Sequence, residues 1–318
     1  MKFINDKIAK GIAKIDNTPG YYIINVGIDK KDITLIVGEI AYDDLAVFQT
    51  SEELYIEKLN FYKNIFSKYK LQINPALAFY DSDISIKTLI LGITSANPNI
   101  TTEINGIIYK LWQVSNPKDI LRIRDGLAPI KKLYIADGHH RYAMFNESTM
   151  KTSARLIVSI TDMNSILLRS CHRVVTGTVS PMWRDNLGKS FKILDANCDT
   201  ECGGNVQLVF KSGKIYELIQ LENSRAPIHE IVKKEIIKVG FEIDSYNENV
   251  FPIPGNLATK DSAKVFDLYQ SCSVIIFVPN VKMSDFLNVV SVGKKLPPTS
   301  TWFEPKLVDG FLIRKYDR

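Results

Sequence analysis

The loop Asp137-Gly138-His139-His140-Arg141 gathers the side chains of this sequence that are best suited to chemistry on an anion. It holds two of the chain's four histidines, together with a carboxylate and a guanidinium. The apolar segment 132–136 before it is typical of a short buried strand, and the residues after it of a helix. A strand that leads through a glycine turn into a helix predicts a site for a phosphate chain. The reason is that a helix N-terminus offers free backbone N–H groups and about half a positive charge.

Each residue of the loop has a role in this interpretation. Gly138 lets the backbone approach the ligand, while His139, His140 and Arg141 donate to phosphate oxygens. Asp137 holds Mg²⁺, directly or through water, or accepts a hydroxyl proton. The alternative is structural: Asp137 caps the helix, and the two histidines are surface residues.

The elements that must position this loop alternate between strands and helices. Apolar segments predict strands at 21–27, 33–40, 75–80, 88–93, 106–112, 132–136 and 152–160. Helices are predicted from Ser51 as N-cap to about residue 69, from Pro117 behind the cap Asn116, and from His139 to Glu147. This pattern predicts an α/β (α+β) fold for the first half of the chain.

From about residue 181 the pattern changes. A hairpin is predicted at 206–210 and 215–219, a strand at 273–278, and helices at 228–239, 261–269 and 283–290. A chain of 318 residues is long enough for about two domains. We therefore predict a first region over residues 1–180, which contains the loop, and a C-terminal α+β region over residues 181–318.

Composition excludes several classes of protein. The chain is 45% hydrophobic and 24% charged, with a net charge of +5, as in ordinary soluble globular proteins. Its lysines are scattered in short pairs, and no helix-turn-helix with a basic recognition helix is visible, which argues against nucleic acid as a partner. The longest apolar runs have the length of strands, so no membrane span is expected. A small anionic ligand fits this charge balance, and the oligomeric state is left open.

The cysteines argue against a zinc site. Cys198 and Cys202 are four residues apart, and no second pair of cysteines or histidines follows at the spacing of a zinc site. Because no secretion signal is visible, reduced thiols and a cytoplasmic location are expected.

The segment from Leu133 to Tyr142, which contains the loop, resembles the signature of a large bacterial and archaeal family related to free serine kinases of the SerK and SbnI type. Three further segments resemble that family in the same order: Ile108-Tyr-Lys-Leu-Trp112, Ser170-Cys-His-Arg-Val-Val175 and Leu296-Pro-Pro-Thr-Ser-Thr-Trp-Phe-Glu-Pro-Lys306. The resemblance extends from about residue 20 to the end of the chain. It implies a ParB/sulfiredoxin-like nucleotide-binding core built on a mixed sheet, so residues 1–180 would be the nucleotide-binding region.

The resemblance also implies an activity. The phosphoryl donor would be ATP or ADP with Mg²⁺, and the acceptor the hydroxyl of L-serine or a similar small free hydroxy-amino acid. Residues 137–141 would contact the nucleotide, with Asp137 as metal ligand and with Asp137 and His140 in the chemical step.

Other residues enter through the same resemblance. His172, Arg173 and Lys306 would bind the substrate, although structural hydrogen bonding for the first two and a surface position for Lys306 are the alternatives. In related proteins an acidic residue of the N-terminal part serves as base. The candidates for that base here are Glu39, Asp43 and Asp44. The alternative, which is the commoner role of such residues, is a solvated loop carboxylate.

The sequence also departs from the family pattern. A His-Glu pair expected before the long helix would fall near Val47-Phe48, and the lysine of the family's PPKST segment is Thr299 here. These changes leave two functions open: a kinase with this or a changed acceptor, or a nucleotide-binding switch or regulator without turnover. A DNA-binding ParB-like protein is a third class, which the missing recognition helix argues against. The sequence does not decide whether the bound nucleotide is ATP, ADP or CTP.

Overall fold

The computed structural model describes residues 6–7, 9–11, 13–28, 31–80, 84–147, 155–197, 204–222, 226–244 and 246–316. The chain divides into two compact units. Unit 1 comprises Met1–Leu167 and Glu304–Arg318, and unit 2 comprises Leu168–Phe303. The domain boundary near residue 180 stays a prediction. Within the described ranges, no helix has the length and apolar character needed to span a bilayer.

Unit 1 carries the first nine strands. They are β1 (Tyr21–Ile28), β2 (Lys31–Ala41), β3 (Phe48–Gln49), β4 (Leu71–Ile73), β5 (Ala76–Tyr80), β6 (Ile100–Ile104), β7 (Ile107–Val114), β8 (Leu133–Asp137) and β9 (Arg155–Asp162). Its helices are α1 (Ile56–Tyr69), α2 (Ile84–Thr94), α3 (Pro117–Leu127) and α4 (His139–Asn146), with a 3₁₀ helix at Tyr42–Val47.

Among the described residues, eight strands of unit 1 form one mixed sheet in the order β3-β8-β5-β9-β2-β1-β7-β6. β3 and β8 are parallel, as are β5 and β9, while the other neighbours run antiparallel. Ile23, Ala78, Ile135 and Val158 from this sheet share one apolar core with Phe66 of α1 and with residues of α4. The predicted mixed α/β class is confirmed.

Two local predictions for unit 1 are wrong. The apolar run 88–93, predicted as a strand, lies in α2, where the buried Ile86 and Ile90 are four residues apart and so share one helical face. Ser51 does not cap a helix, because its hydroxyl donates to the carbonyl of Ile135 in β8, and α1 begins only at Ile56. The cap Asn116 is confirmed: its side chain accepts from the Lys118 backbone N–H at 2.9 Å.

In its described part, unit 2 contains the next eight strands and five helices, besides a short 3₁₀ helix at Thr259–Asp261. The strands are β10 (Leu167–Ser170), β11 (His172–Thr176), β12 (Phe191–Ala196), β13 (Val206–Phe210), β14 (Ile215–Gln220), β15 (Val250–Ile253), β16 (Cys272–Phe277) and β17 (Thr301–Glu304). The helices are α5 (Trp183–Leu187), α6 (Ile228–Ile231), which continues as a π-helix over Val232–Gly240, α7 (Tyr246–Asn249), α8 (Ser262–Leu268) and α9 (Met283–Val290).

Six of these strands form an antiparallel sheet in the order β12-β14-β13-β16-β11-β15. The hairpin of β13 and β14 is confirmed, and Gly213 in its turn has the positive φ of 83° that suits glycine. This sheet and the helix that starts at Ile228 enclose a second apolar core.

The C-terminal segment belongs to unit 1. Its strand β18 (Ile313–Lys315) pairs antiparallel with β4. The ring of Tyr316 packs against Phe66 and Phe145, and its hydroxyl donates to Gln72. These contacts fasten the segment that carries Lys306 to the sheet of unit 1.

Candidate functional site

The predicted strand–glycine–helix arrangement is present. β8 ends at Asp137, and Gly138 precedes α4 with a φ of 90°, in the left-handed region, without a side-chain cap. The first hydrogen bond inside the helix runs from the Tyr142 N–H to the Gly138 carbonyl at 2.9 Å. The backbone N–H groups of residues 139–141 therefore have no acceptor within the helix, and the positive end of the helix dipole is uncapped.

Asp137 is paired with two cations. Its Oδ2 lies 2.6 Å from Nη2 of Arg141, and its Oδ1 lies 2.9 Å from Nζ of Lys306. Burial alone would raise the pKa of Asp137, but the charges of Lys306 and Arg141 lower it well below its usual range. Asp137 is thus ionised at neutral pH and is not the helix cap, which rules out one structural alternative.

Arg141 is held under the glycine turn. Its side chain is buried, and its Nε has no hydrogen-bond partner in the described part of the chain. A Cβ added to Gly138 would lie 2.8 Å from this Nε and 3.1 Å from the Cα of Ala76. A glycine is therefore needed both for the backbone conformation and for the space that the guanidinium occupies. A buried donor without a partner is unusual in a protein interior and suits a ligand acceptor.

The two histidines anchor the segment from Ser51 to Tyr55 to the loop. Nε2 of His139 lies 2.8 Å from the Ser51 hydroxyl and 3.3 Å from the Ser51 backbone nitrogen. Nε2 of His140 accepts from the Tyr55 backbone N–H at 3.0 Å. Neither Nε2 is available to a ligand in this arrangement, and His139 is buried rather than at the surface.

His140 is uncharged at neutral pH. Burial, together with the positive charge of Lys58, lowers its pKa to about 4. The ring of Tyr62 is stacked beside it, with centroids 6.4 Å apart and planes inclined by 25°. The ring is thus fixed on two sides by α1 and by the residue that precedes this helix.

Ser51 and Tyr55 were not predicted as site residues. Ser51 carried a signal, since a serine before an acidic pair is typical of a helix cap, but the signal pointed to a different role. Tyr55 acts through its backbone N–H, which every residue except proline possesses, so no residue type could have indicated it.

One predicted N-terminal carboxylate, Glu39, does not lie at the loop. Glu39 is in β2, which β9 and β5 separate from β8, so three strand spacings of about 4.8 Å lie between them. The carboxylate of Glu39 forms an ion pair with Arg314. Asp43 and Asp44 are exposed in the 3₁₀ helix that follows β2.

His172 and Arg173 lie in β11 of unit 2, and both are buried. Nδ1 of His172 accepts from the Val278 backbone N–H, and its Nε2 is 3.0 Å from the Leu257 carbonyl oxygen. The guanidinium of Arg173 donates to three backbone carbonyls, those of Cys171, His172 and Thr299. These contacts favour the structural alternative for both residues, and their role in substrate binding stays a prediction.

Metal-binding groups are sparse. Among the described residues, no group of three or more His, Cys, Asp or Glu side chains is arranged to hold a metal ion. Cys171 and Cys272 are buried cysteines outside any disulfide, whereas Cys198 and Cys202 lie outside the described residues. Asp137 is therefore the carboxylate that the loop itself offers to a cation.

Unit 1 is a mixed α/β unit whose loop combines an uncapped helix start, an ionised aspartate and two cations. This combination makes the protein one with a candidate anion-binding site. The chain belongs to the DUF1015 family, described as a protein of unknown function, whose sequence profile matches residues 2–242. No curated protein sequence matches this chain.

Several solved structures are similar to this one. A free serine kinase in complex with AMP has 14% sequence identity and a TM-score of 0.46, and the alignment covers 92% of this chain and 91% of that chain. SbnI with a C-terminal truncation, from Staphylococcus aureus, has 12% identity and a TM-score of 0.44, with 84% and 82% covered. A conserved hypothetical protein from Pyrococcus furiosus has 14% identity and a TM-score of 0.45, with 86% and 94% covered.

Proposed function

We propose that this protein is a kinase that transfers a phosphoryl group from ATP or ADP to the hydroxyl of a small free hydroxy-amino acid, such as L-serine. The observation that carries the proposal is the convergence of Arg141, Lys306 and the uncapped start of α4 at Asp137. The resemblance of the loop and of three further segments to the free serine kinase family supports the choice of reaction.

The charges at the loop suit a polyphosphate. Arg141 and Lys306 contribute two positive charges against the single negative charge of Asp137. The helix start adds about half a positive charge and backbone N–H groups that have no acceptor within the helix. When phosphate oxygens enter, the two cations have a second set of acceptors, and the buried Nε of Arg141 gains a partner. Phosphoryl transfer needs this kind of positioning and charge neutralisation more than covalent participation by the protein.

Asp137 fits the donor set that Mg²⁺ prefers, since one carboxylate combined with the phosphates of a bound nucleotide is a common arrangement. The metal would neutralise charge on the transferring phosphoryl group. Because two cations already pair with Asp137, repulsion disfavours a free divalent ion at this place. The nucleotide and its metal would therefore bind together.

In the reaction, the hydroxyl oxygen of the acceptor forms a bond to the terminal phosphorus, and the bond from that phosphorus to the bridging oxygen breaks. With ATP the leaving group is ADP. Asp137, which is ionised, accepts the hydroxyl proton, a role that an aspartate has in protein kinases. His140 donates to the phosphate chain, and Lys306 neutralises its charge.

The test is phosphate transfer in the purified full-length protein. It is incubated with Mg²⁺ and either ATP or ADP, and with a panel of free amino acids with and without hydroxyl groups. We expect a phosphorylated hydroxy-amino acid and none from alanine. Nucleotide binding without any product would instead support a nucleotide-binding switch or regulator. An Asp137→Asn variant with unchanged turnover would exclude the role given to Asp137.

A further inference from the structure

The contact between His140 and Tyr55 determines which ring nitrogen of His140 carries a proton. Nε2 of His140 is 3.0 Å from the backbone nitrogen of Tyr55, and an amide nitrogen in a peptide bond can only donate. Nε2 must therefore be the acceptor and carries no proton while this bond exists. Of the two ring nitrogens, only Nδ1 can then carry one.

The surroundings of His140 keep this ring neutral. The pKa of His140 is lowered to about 4, mainly by burial and further by the charges of Lys58 on α1, His139 and Arg141. The charge of Asp137 acts in the opposite direction. A neutral imidazole has a single N–H group, which the bond to Tyr55 assigns to Nδ1. The Tyr62 ring stacked beside the imidazole restricts its rotation.

We infer that the backbone amide of Tyr55 is a positioning group for the nucleotide site: it fixes the proton of His140 on Nδ1, so that this side chain is an uncharged hydrogen-bond donor to the phosphate chain. The inference rests on the proposed function. His140 is the second residue of α4, next to the N–H groups that have no acceptor in the helix. The site would thus combine the charges of Arg141 and Lys306 with a donor of fixed direction.

The first experiment measures the proton position directly, without any nucleotide. ¹⁵N NMR of the full-length protein at pH 7 distinguishes a protonated from an unprotonated ring nitrogen, and the His140 signals are identified by their loss in His140→Asn. We expect a protonated Nδ1, an unprotonated Nε2 and no titration between pH 6 and 8. A protonated Nε2, alone or with Nδ1, would overturn the inference.

The second experiment removes the amide proton. Tyr55→Pro deletes the N–H, whereas Tyr55→Ala is the matched control that loses the same phenol ring and keeps the N–H. The backbone of Tyr55, with φ −83° and ψ 120°, is close to what proline adopts. We expect Tyr55→Pro to bind ADP between a few-fold and about tenfold more weakly than Tyr55→Ala, the range for one hydrogen bond between neutral groups. Equal affinities would contradict the inference.

A third pair of variants decides the question if Tyr55→Pro does not fold. The side-chain amide nitrogen of asparagine can stand near the place of Nδ1, and that of glutamine near the place of Nε2. We expect His140→Asn to bind ADP more tightly than His140→Gln, and the reverse order would overturn the inference. Absence of ADP binding by the unmodified protein, combined with an Nδ1 proton in the NMR spectrum, would refute the proposed function and leave the proton assignment standing.

Discussion

Lys306 lies 2.9 Å from Asp137, although 169 residues separate them in the sequence. The C-terminal segment makes this contact possible, because it returns to unit 1 after the whole of unit 2. Lys306 therefore belongs to the loop site, and not to the surface as a solvated lysine.

Replacing Lys306 tests this assignment. We expect Lys306→Ala to weaken ATP binding by about tenfold, because a charge-assisted contact to a phosphate is lost. The matched control is Lys315→Ala, which removes an exposed lysine from β18 of the same segment. Isothermal titration of both variants provides the comparison. Equal affinities for the two would place Lys306 outside the ligand site.

Gly138 and Gly106 form a matched pair for testing the turn. Both have positive φ angles, 90° and 77°, so an alanine is strained at either position. A Cβ at Gly138 meets the Arg141 guanidinium, whereas a Cβ at Gly106 meets nothing within 4 Å. We expect Gly106→Ala to cost about 1 kcal/mol of stability and leave nucleotide affinity unchanged, while Gly138→Ala also weakens ATP binding. Thermal melts and titration calorimetry separate the two effects, and an unaltered affinity in Gly138→Ala would contradict this reasoning.

Arg173 supports the structure of unit 2 through its three carbonyl contacts. Its loss removes the donors that these three carbonyls receive from one buried guanidinium, so we expect Arg173→Ala to lower the free energy of unfolding by about 2–4 kcal/mol. The control Arg184→Ala removes a half-exposed arginine from the same unit and should cost far less. Urea denaturation measures both. A stable Arg173→Ala variant with weakened amino-acid binding would favour the substrate role instead.

The buried histidines predict an acid-sensitive fold. Burial lowers the pKa of His172 to about 4, whereas an unfolded histidine has a pKa near 6.5. Below pH 6.5 the unfolded chain therefore binds a proton that the folded chain does not, and stability decreases as the pH falls towards 4. The slope is at most about 1.4 kcal/mol per pH unit for this group.

The pH dependence is measured by urea denaturation at several pH values, for the unmodified protein and for His172→Gln. We expect the variant to be less stable at pH 7 but to show a shallower decrease on acidification. The same slope in both proteins would mean that His172 does not titrate between the folded and unfolded states.

Much of the fold could be predicted from the sequence, because its signals are local. The apolar segment that predicts β1, the cap at Asn116 and the glycine between β8 and α4 each act within a few residues. The prediction for residues 88–93 was wrong for the opposite reason. A short, mostly apolar segment suits a strand or a helix, and the packing of Ile86 and Ile90 decides between them.

The site could be predicted only in part. The sequence indicated the loop, since its residues are adjacent, but the partners of the loop come from distant segments. Ser51 and Tyr55 contact the histidines across more than 80 residues, and Glu39 is paired with Arg314 away from the loop. The order of the strands in the sheet and the return of the C-terminal segment to unit 1 decide these contacts. Neither can be predicted from the spacing of residues within a short segment.

We propose that the loop binds the phosphates of a nucleotide, and titration of ATP with Mg²⁺ into Arg141→Ala tests this most directly. Arg122→Ala, on an exposed face of α3, is the control, and circular dichroism verifies that both variants are folded, because Arg141 is buried. We expect Arg141→Ala to bind ATP between tenfold and more than a hundredfold more weakly than the unmodified protein, corresponding to about 1.5–3 kcal/mol, and Arg122→Ala to bind normally. A folded Arg141→Ala variant that binds ATP as tightly as the unmodified protein would contradict this proposal.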